Sequence, residues 1–144
     1  MTGNKARILA VDDDVDFLDW VRIVLEAAGH EVVCFSDAGN ALASITDAPP
    51  DLIITDLMME SLDAGFSFAR RTKEAGNLCH VPIIIVTAAE SRRGFDFRPR
   101  TGEDLAAMHV DAFFCKPVDV KALRMKVQEL LNRERRATNT GNAT

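Results

Sequence analysis

Five times in this chain a short aliphatic run is followed by a segment with apolar residues at helical spacing, and that alternation leaves few folds open. The runs are Ile8–Val11, Val32–Phe35, Leu52–Thr55, Val81–Val86 and Ala112–Cys115. Unbroken apolarity over four to six residues, without polar alternation, marks a strand covered on both faces. After the first run, Phe17, Leu18, Val21, Val24, Leu25 and Ala28 recur on one helical face, and Gly29 supplies a stop. Asp37 caps a short helix through Ile45, ending before Pro49 and Pro50. A third helix is expected from about Ala64 to Ala75, with Gly76 as its stop. A fourth is expected from Thr101, as cap, to His109. The last runs from about Asp119 to Arg135, with Ala122, Leu123, Val127, Leu130 and Leu131 on one face. Pro82 sits at the start of its strand, where a missing N–H is tolerated. Five β–α units joined by right-handed crossovers give an α/β protein: a doubly wound, five-stranded parallel sheet with helices on both faces. In such sheets ligands bind outside the C-terminal ends of the strands.

A length of 144 residues fits one domain. We place that domain at 5–135, with 136–144 as a flexible polar tail. No apolar run reaches the roughly 18–20 residues needed to cross a bilayer, and the polar start, Met1–Arg7, lacks the apolar stretch of a signal peptide. Both point to a cytoplasmic protein without a membrane partner. Cys34, Cys79 and Cys115 are odd in number and widely spaced, so neither a disulfide framework nor a zinc site is expected. Cys34 and Cys115 read as buried small hydrophobes. Net charge is −5, against broad nucleic-acid binding. Residues 1–63 carry 3 basic and 13 acidic side chains, and Asp12, Asp13, Asp14, Asp16 and Asp19 lie almost together. Such a cluster is unfavourable unless it is solvated or holds a cation.

The strand ends concentrate the chemistry. Asp12, Asp13 and Asp14 follow the first strand, Asp56 the third, Thr87 the fourth, and Lys116 with Pro117 the fifth. Taken singly, an Asp after a strand is most often a helix cap or turn residue, and a lysine is most often solvated. Together they bring carboxylates, a hydroxyl and an ammonium to one rim. Mg²⁺ takes a few carboxylate oxygens plus waters and phosphoryl oxygens. A carboxylate can act as nucleophile toward phosphorus, giving an acyl phosphate, and the transferring group needs its oxygens neutralised by metal, cation and hydroxyl donor.

The segments Ile8–Asp14, Asp51–Met59, Pro82–Ala88 and Phe114–Asp119, in that order and strand context, resemble the receiver domain of two-component response regulators. The resemblance spans about residues 5–132. It implies a flavodoxin-like fold with strand order 2-1-3-4-5. It implies phosphorylation at Asp56 by a sensor histidine kinase or a histidine phosphotransfer protein. It implies Mg²⁺ held directly by Asp13, Asp56 and the backbone carbonyl of Met58, with Asp12 acting through water. Thr87 would be the switch hydroxyl, Lys116 the partner of a phosphoryl oxygen, and Phe113 the rotating aromatic. Phosphorylation would shift an existing equilibrium at the face of the fourth and fifth helices.

The chain departs from the family pattern in places. The loop after Asp56 has Glu60 and Ala64 near the usual proline and glycine. Met58 and Ala89 occupy the two variable positions that tune dephosphorylation; both are apolar, so a long-lived phosphoryl state is expected. The connection between Thr87 and Lys116 is longer than usual, and within 91–102 four arginines flank Phe95 and Phe97. We read that stretch as a solvated loop with its phenylalanines against the body, ahead of docking to an acidic partner or single-stranded nucleic acid. The acidic first helix, with Asp16, Asp19 and Glu26, faces either solvent or a donor. Trp20, the one tryptophan, would report on the site if close to it. His30, His80 and His109 receive no role, and Asn142–Thr144 matches a glycosylation sequon by chance. We expect a stand-alone receiver with no DNA-binding or catalytic output domain, acting on an unidentified downstream protein, as a monomer or as a homodimer formed on phosphorylation. Two other classes fit less well. A Mg²⁺-dependent phosphohydrolase wants a cap domain, and a nucleotide module wants a glycine-rich phosphate loop, of which Thr2–Asn4 is a faint trace before the first strand.

Overall fold

The computed structural model describes residues 6–56, 72, 81–87 and 110–143, with the side chains of 46, 87 and 134–143 outside the description. The elements are β1 (Arg7–Val11), α1 (Val15–Glu26), β2 (Glu31–Phe35), α2 (Ala38–Asp47), β3 (Leu52–Thr55), β4 (Ile83–Thr87), β5 (Ala112–Cys115) and α3 (Val120–Ala143). The strands form one parallel sheet in the order β2-β1-β3-β4-β5. Both the class and the order agree with the expectation from sequence.

The period of two divides the core into two layers. Ile8 and Ala10 of β1, Leu52 and Ile54 of β3, and Ile84 and Val86 of β4 face α1 and α3, where Leu18, Val21, Leu25, Leu123, Val127 and Leu130 meet them. Leu9, Val11, Ile53, Ile83 and Ile85 face the other way, onto Ala41 and Ile45 of α2. Each fully buried aliphatic side chain contributes about 1.5–3 kcal/mol relative to exposure, so the central strands anchor the molecule. The expectation of burial on both faces holds for β1, β3 and β4. The edge strands β2 and β5 are only half covered, because each has a neighbour on one side alone. Cys34 and Cys115 accordingly are half-buried instead of fully buried.

Local chemistry sets the ends of the elements. Asp37 accepts the Asn40 N–H at 2.8 Å and caps α2, and Asp119 does the same for Ala122 ahead of α3. Gly29, at φ +97°, closes α1. His30 N–H donates to the Leu25 carbonyl and Gly29 N–H to that of Glu26, at 3.1 and 3.0 Å, a pairing that needs the left-handed conformation glycine adopts without strain. At the lower edge, Asp51 accepts the Arg7 N–H at 2.8 Å and Asp111 accepts that of Ile83 at 2.9 Å. His30, given no role from sequence, accepts the Ala6 N–H on Nδ1 at 3.3 Å. Boundaries differ in places: β4 covers Ile83–Thr87 instead of the expected 81–86, and α3 continues to Ala143, through residues expected as a flexible tail beyond Arg135. The apolar stripe ends at Leu131, but no proline interrupts the backbone, and the Arg- and Glu-rich turn through Ala137 favours helix; the helical propensity of residues 138–142 is low and does not account for the last turn. Thr72 is helical and buried, inside the expected third helix. The rest of that helix, and the one expected over Thr101–His109, lie outside the described residues.

Candidate functional site

The strand order places β1 between β2 and β3, so the chain reverses its winding direction above β1 and β3. Val11 pairs with Phe35 on one side and Thr55 on the other. The ladder continues one residue further at this rim. Asp12 N–H donates to the Phe35 carbonyl at 3.1 Å and Asp56 N–H to the Val11 carbonyl at 2.9 Å. The two carboxylates therefore stand on backbone as fixed as the sheet itself. Asp12 is 1% exposed and Asp56 6% exposed, whereas Asp13 opens to solvent. One oxygen from each of Asp12, Asp13 and Asp56 lies within 4.8 Å of the others.

Lys116, from the loop after β5, reaches across the top of the sheet. Its Nζ is 2.9 Å from Asp12 Oδ2 and 3.9 Å from Asp56 Oδ2. The other Asp12 oxygen accepts the Asp14 N–H at 2.9 Å. Burial, and then the neighbouring Asp56 carboxylate, push the Asp12 carboxyl up to about 6; the Asp14 N–H and Lys116 offset part of that rise. Among the described residues, three carboxylates face one ammonium, an excess of negative charge. The donor set is all oxygen, partly buried and open on the Asp13 side, which suits a hard divalent cation that keeps some of its waters. Asp12, Asp13 and Asp56 thus fit Mg²⁺.

The structure separates the residues expected at the rim. Asp12, Asp13, Asp56 and Lys116 converge. Asp14, part of the acidic run in sequence, leaves the cluster: its Oδ1 accepts the N–H groups of Asp16 and Phe17 at 3.1 and 3.3 Å and caps α1. Thr87 ends β4 in register with Cys115, so its backbone stands at the same rim; its side chain lies outside the description. Met58, Ala89 and the arginine-rich stretch 91–102 lie outside the described residues, as does Cys79. Phe113 is half-buried against the Leu9 and Val11 layer. Sequence reasoning missed Phe17, which it assigned to the helix core. Lys116 Nζ lies 4.4 Å from the centroid of the Phe17 ring, and Trp20 stacks on that ring with centroids 5.6 Å apart. The one available signal was an aromatic in the first turn after the acidic run. The proximity of Trp20 to the site is thereby established.

Comparison with known proteins gives this rim its context. The response regulator receiver domain family matches residues 8–128. The DNA-binding dual master transcriptional regulator RpaA of Synechocystis is 32% identical over 131 residues, which cover 88% of this chain and 49% of that protein. The response regulator PleD of Caulobacter vibrioides is 32% identical over 128 residues, covering 88% of this chain and 26% of PleD. The chain spans about half the length, or less, of these curated relatives. Among solved structures, the chemotaxis response regulator CheY4 of Vibrio cholerae superposes with a TM-score of 0.74 at 27% identity, covering 88% of this chain and 99% of that one. A CheY-like receiver domain protein from Methanospirillum hungatei gives 0.75 at 26% identity, covering 93% and 99%. With the family match over most of its length and the fold in the same strand order, this chain belongs to the response regulator receiver domain family of two-component signalling.

Proposed function

We propose that Asp56 is the phosphoacceptor of a Mg²⁺-dependent signalling switch. The observation that carries this reading is the convergence of Asp12, Asp13 and Asp56 oxygens within 4.8 Å of one another, with the Lys116 ammonium beside two of them. An Asp56 oxygen attacks the phosphorus of a phosphohistidine. The new P–O bond forms as the donor's P–N bond breaks, and that electron pair stays on the imidazole nitrogen. Lys116 then exchanges carboxylate contact for a phosphoryl oxygen, and the Thr87 hydroxyl donates to another. Asp12, Asp13 and Asp56, with the Met58 carbonyl, would hold Mg²⁺, which would supply charge neutralisation for the carboxylates and the phosphoryl oxygens alike. Thr87 and Phe113 carry the change to a partner-binding face.

Family membership supports a sensor histidine kinase or a histidine phosphotransfer protein as donor. In this reading the receiver domain passes its state on through a protein-binding face, without contacting DNA itself. No helix among the described residues is long and apolar enough to cross a membrane, and we place the domain's action in the cytoplasm.

The test is intact-mass spectrometry after incubation with acetyl phosphate and Mg²⁺. One phosphoryl adduct per chain, lost in Asp56→Asn and without metal, is the expected result. Multiple turnover of a phosphomonoester without a stable adduct would replace the switch by a phosphohydrolase.

A further inference from the structure

Lys116 makes a contact that the phosphoacceptor reading does not use. Its ammonium stands over the Phe17 ring, 4.4 Å from the centroid. That ring is stacked on Trp20 at an interplanar angle of 25°. Phe17, Trp20, Lys116, Pro117 and Val118 together line a cleft of about 210 Å³. Phe17 is anchored at its backbone as well. Phe17 N–H donates to the Asp14 cap at 3.3 Å, and both aromatics pack against the α1 face of the core.

Among the described residues three attractors therefore surround one ammonium: Asp12 at 2.9 Å, Asp56 at 3.9 Å and the ring face at 4.4 Å. The face of an aromatic ring is its negative side, and the attraction grows as the cation loses water. The Lys116 side chain is only 18% exposed. A lysine is a point charge on a flexible stem, so its position is set by whatever surrounds its head. At 2.9 Å it is hydrogen-bonded to Asp12; at 3.9 Å from Asp56 it is beyond hydrogen-bonding distance. That difference matters chemically, because an ammonium hydrogen-bonded to Asp56 would draw charge from the carboxylate and make it a weaker nucleophile toward phosphorus. An aliphatic residue at position 17 would fill the same space without pulling on the cation.

We infer that Phe17, braced by Trp20, is a positioning residue for Lys116: it holds the ammonium on the Asp12 side of the acidic centre and so keeps it from capturing the Asp56 nucleophile. This rests on the phosphoacceptor reading and names a residue that tunes it. With acetyl phosphate as donor, the Asp56 oxygen forms the P–O bond while the bond from phosphorus to the acetyl oxygen breaks, and acetate leaves with that electron pair. Phe17 touches neither reactant and acts through Lys116.

The test replaces Phe17 by phenylalanines of increasing fluorination, which weaken the negative ring face at nearly constant shape, together with Phe17→Leu and Phe17→Tyr. Two quantities are read. One is the rate of adduct formation with acetyl phosphate at saturating Mg²⁺; the other is the NMR shift of the Lys116 methylene protons next to the ammonium, which a ring beneath them moves upfield. The expected result is a stepwise fall in rate, roughly three- to tenfold from the parent to the fully fluorinated ring, at unchanged melting temperature. Tyrosine keeps the parent rate, and the upfield shift disappears in the leucine variant. A flat rate across the fluorinated series, or a parent without the upfield shift, overturns the proposal while leaving Asp56 as acceptor. A parent that takes up no phosphoryl group overturns the phosphoacceptor reading, and this proposal with it.

Discussion

At the scale of single residues, Asp12 decides how the acidic centre responds to pH. Its carboxyl is pushed up to about 6 by burial and by Asp56, which outweigh the Lys116 ion pair, so it runs opposite to the usual salt-bridged aspartate. Between its ordinary value and about 6 the folded protein holds a proton that the unfolded chain has released, so without metal this group lowers stability as pH rises through that window. About one pH unit above its raised value the charge is nearly fully present, and a bound cation would offset it. A proton on Asp12 and Mg²⁺ at the centre thus oppose one another, because each offsets the same excess of negative charge. Below pH 6 the apparent Mg²⁺ affinity should fall by up to about tenfold per pH unit for one competing proton, and it should level off above pH 7. A Mg²⁺ titration followed by Trp20 emission, one aromatic ring away from Lys116, checks this; a pH-independent affinity between 5 and 7 would contradict it. Cys34 shows the same physics without function. Burial raises its thiol pKa, and its Sγ lies 3.8 Å from the Leu18 carbonyl.

At the scale of elements, α1 joins fold to site. Its inner face supplies Leu18, Val21, Val24 and Leu25 to the core, and its first turn carries Phe17 to Lys116. Asp14 sets where that turn begins. Asp14→Ala should cost about 1 kcal/mol of stability by removing the cap, measured by urea unfolding, and should leave Asp56 able to accept a phosphoryl group. A loss of phosphorylation with unchanged stability would instead make Asp14 part of the centre. The cap reading was open in sequence, since an aspartate after a strand is commonly one. Which of three consecutive aspartates serves as cap was not open to sequence, because that depends on where the strand's ladder stops. Here the ladder reaches Asp12, so the cap falls two residues later, on Asp14, and the helix starts at Val15. The far end of α1 depends on contacts sequence spacing does not encode. Arg124 of α3 donates to the Val24 carbonyl from Nε and Nη2, at 3.1 and 2.9 Å. Ala28 N–H has turned to Leu25 instead, so the arginine satisfies an acceptor the helix itself leaves over. A bond between residues one hundred positions apart carries no local signal.

At the scale of the whole molecule, the five aliphatic runs were enough to specify the parallel sheet, because a strand covered on both faces cannot alternate. Half-covered edges were not legible, since β2 and β5 are as apolar as their neighbours in sequence and differ only in what flanks them. The site was legible to the extent that the fold made it so. Once five strand ends share a rim, Asp12, Asp56 and Lys116 must meet, and they do. Phe17 was not legible, because an aromatic at helical spacing looks the same whether it faces the core or a cation. The central claim, that this rim exists to take a phosphoryl group on one carboxylate, is tested most directly by trapping the acyl phosphate. After reaction with acetyl phosphate and Mg²⁺, borohydride reduces an aspartyl phosphate to homoserine, and peptide mass mapping locates the change. The account predicts homoserine at position 56 alone, and none when metal is withheld. Homoserine at Asp12 or Asp13, or at no aspartate while the protein remains folded and binds Mg²⁺, would contradict it.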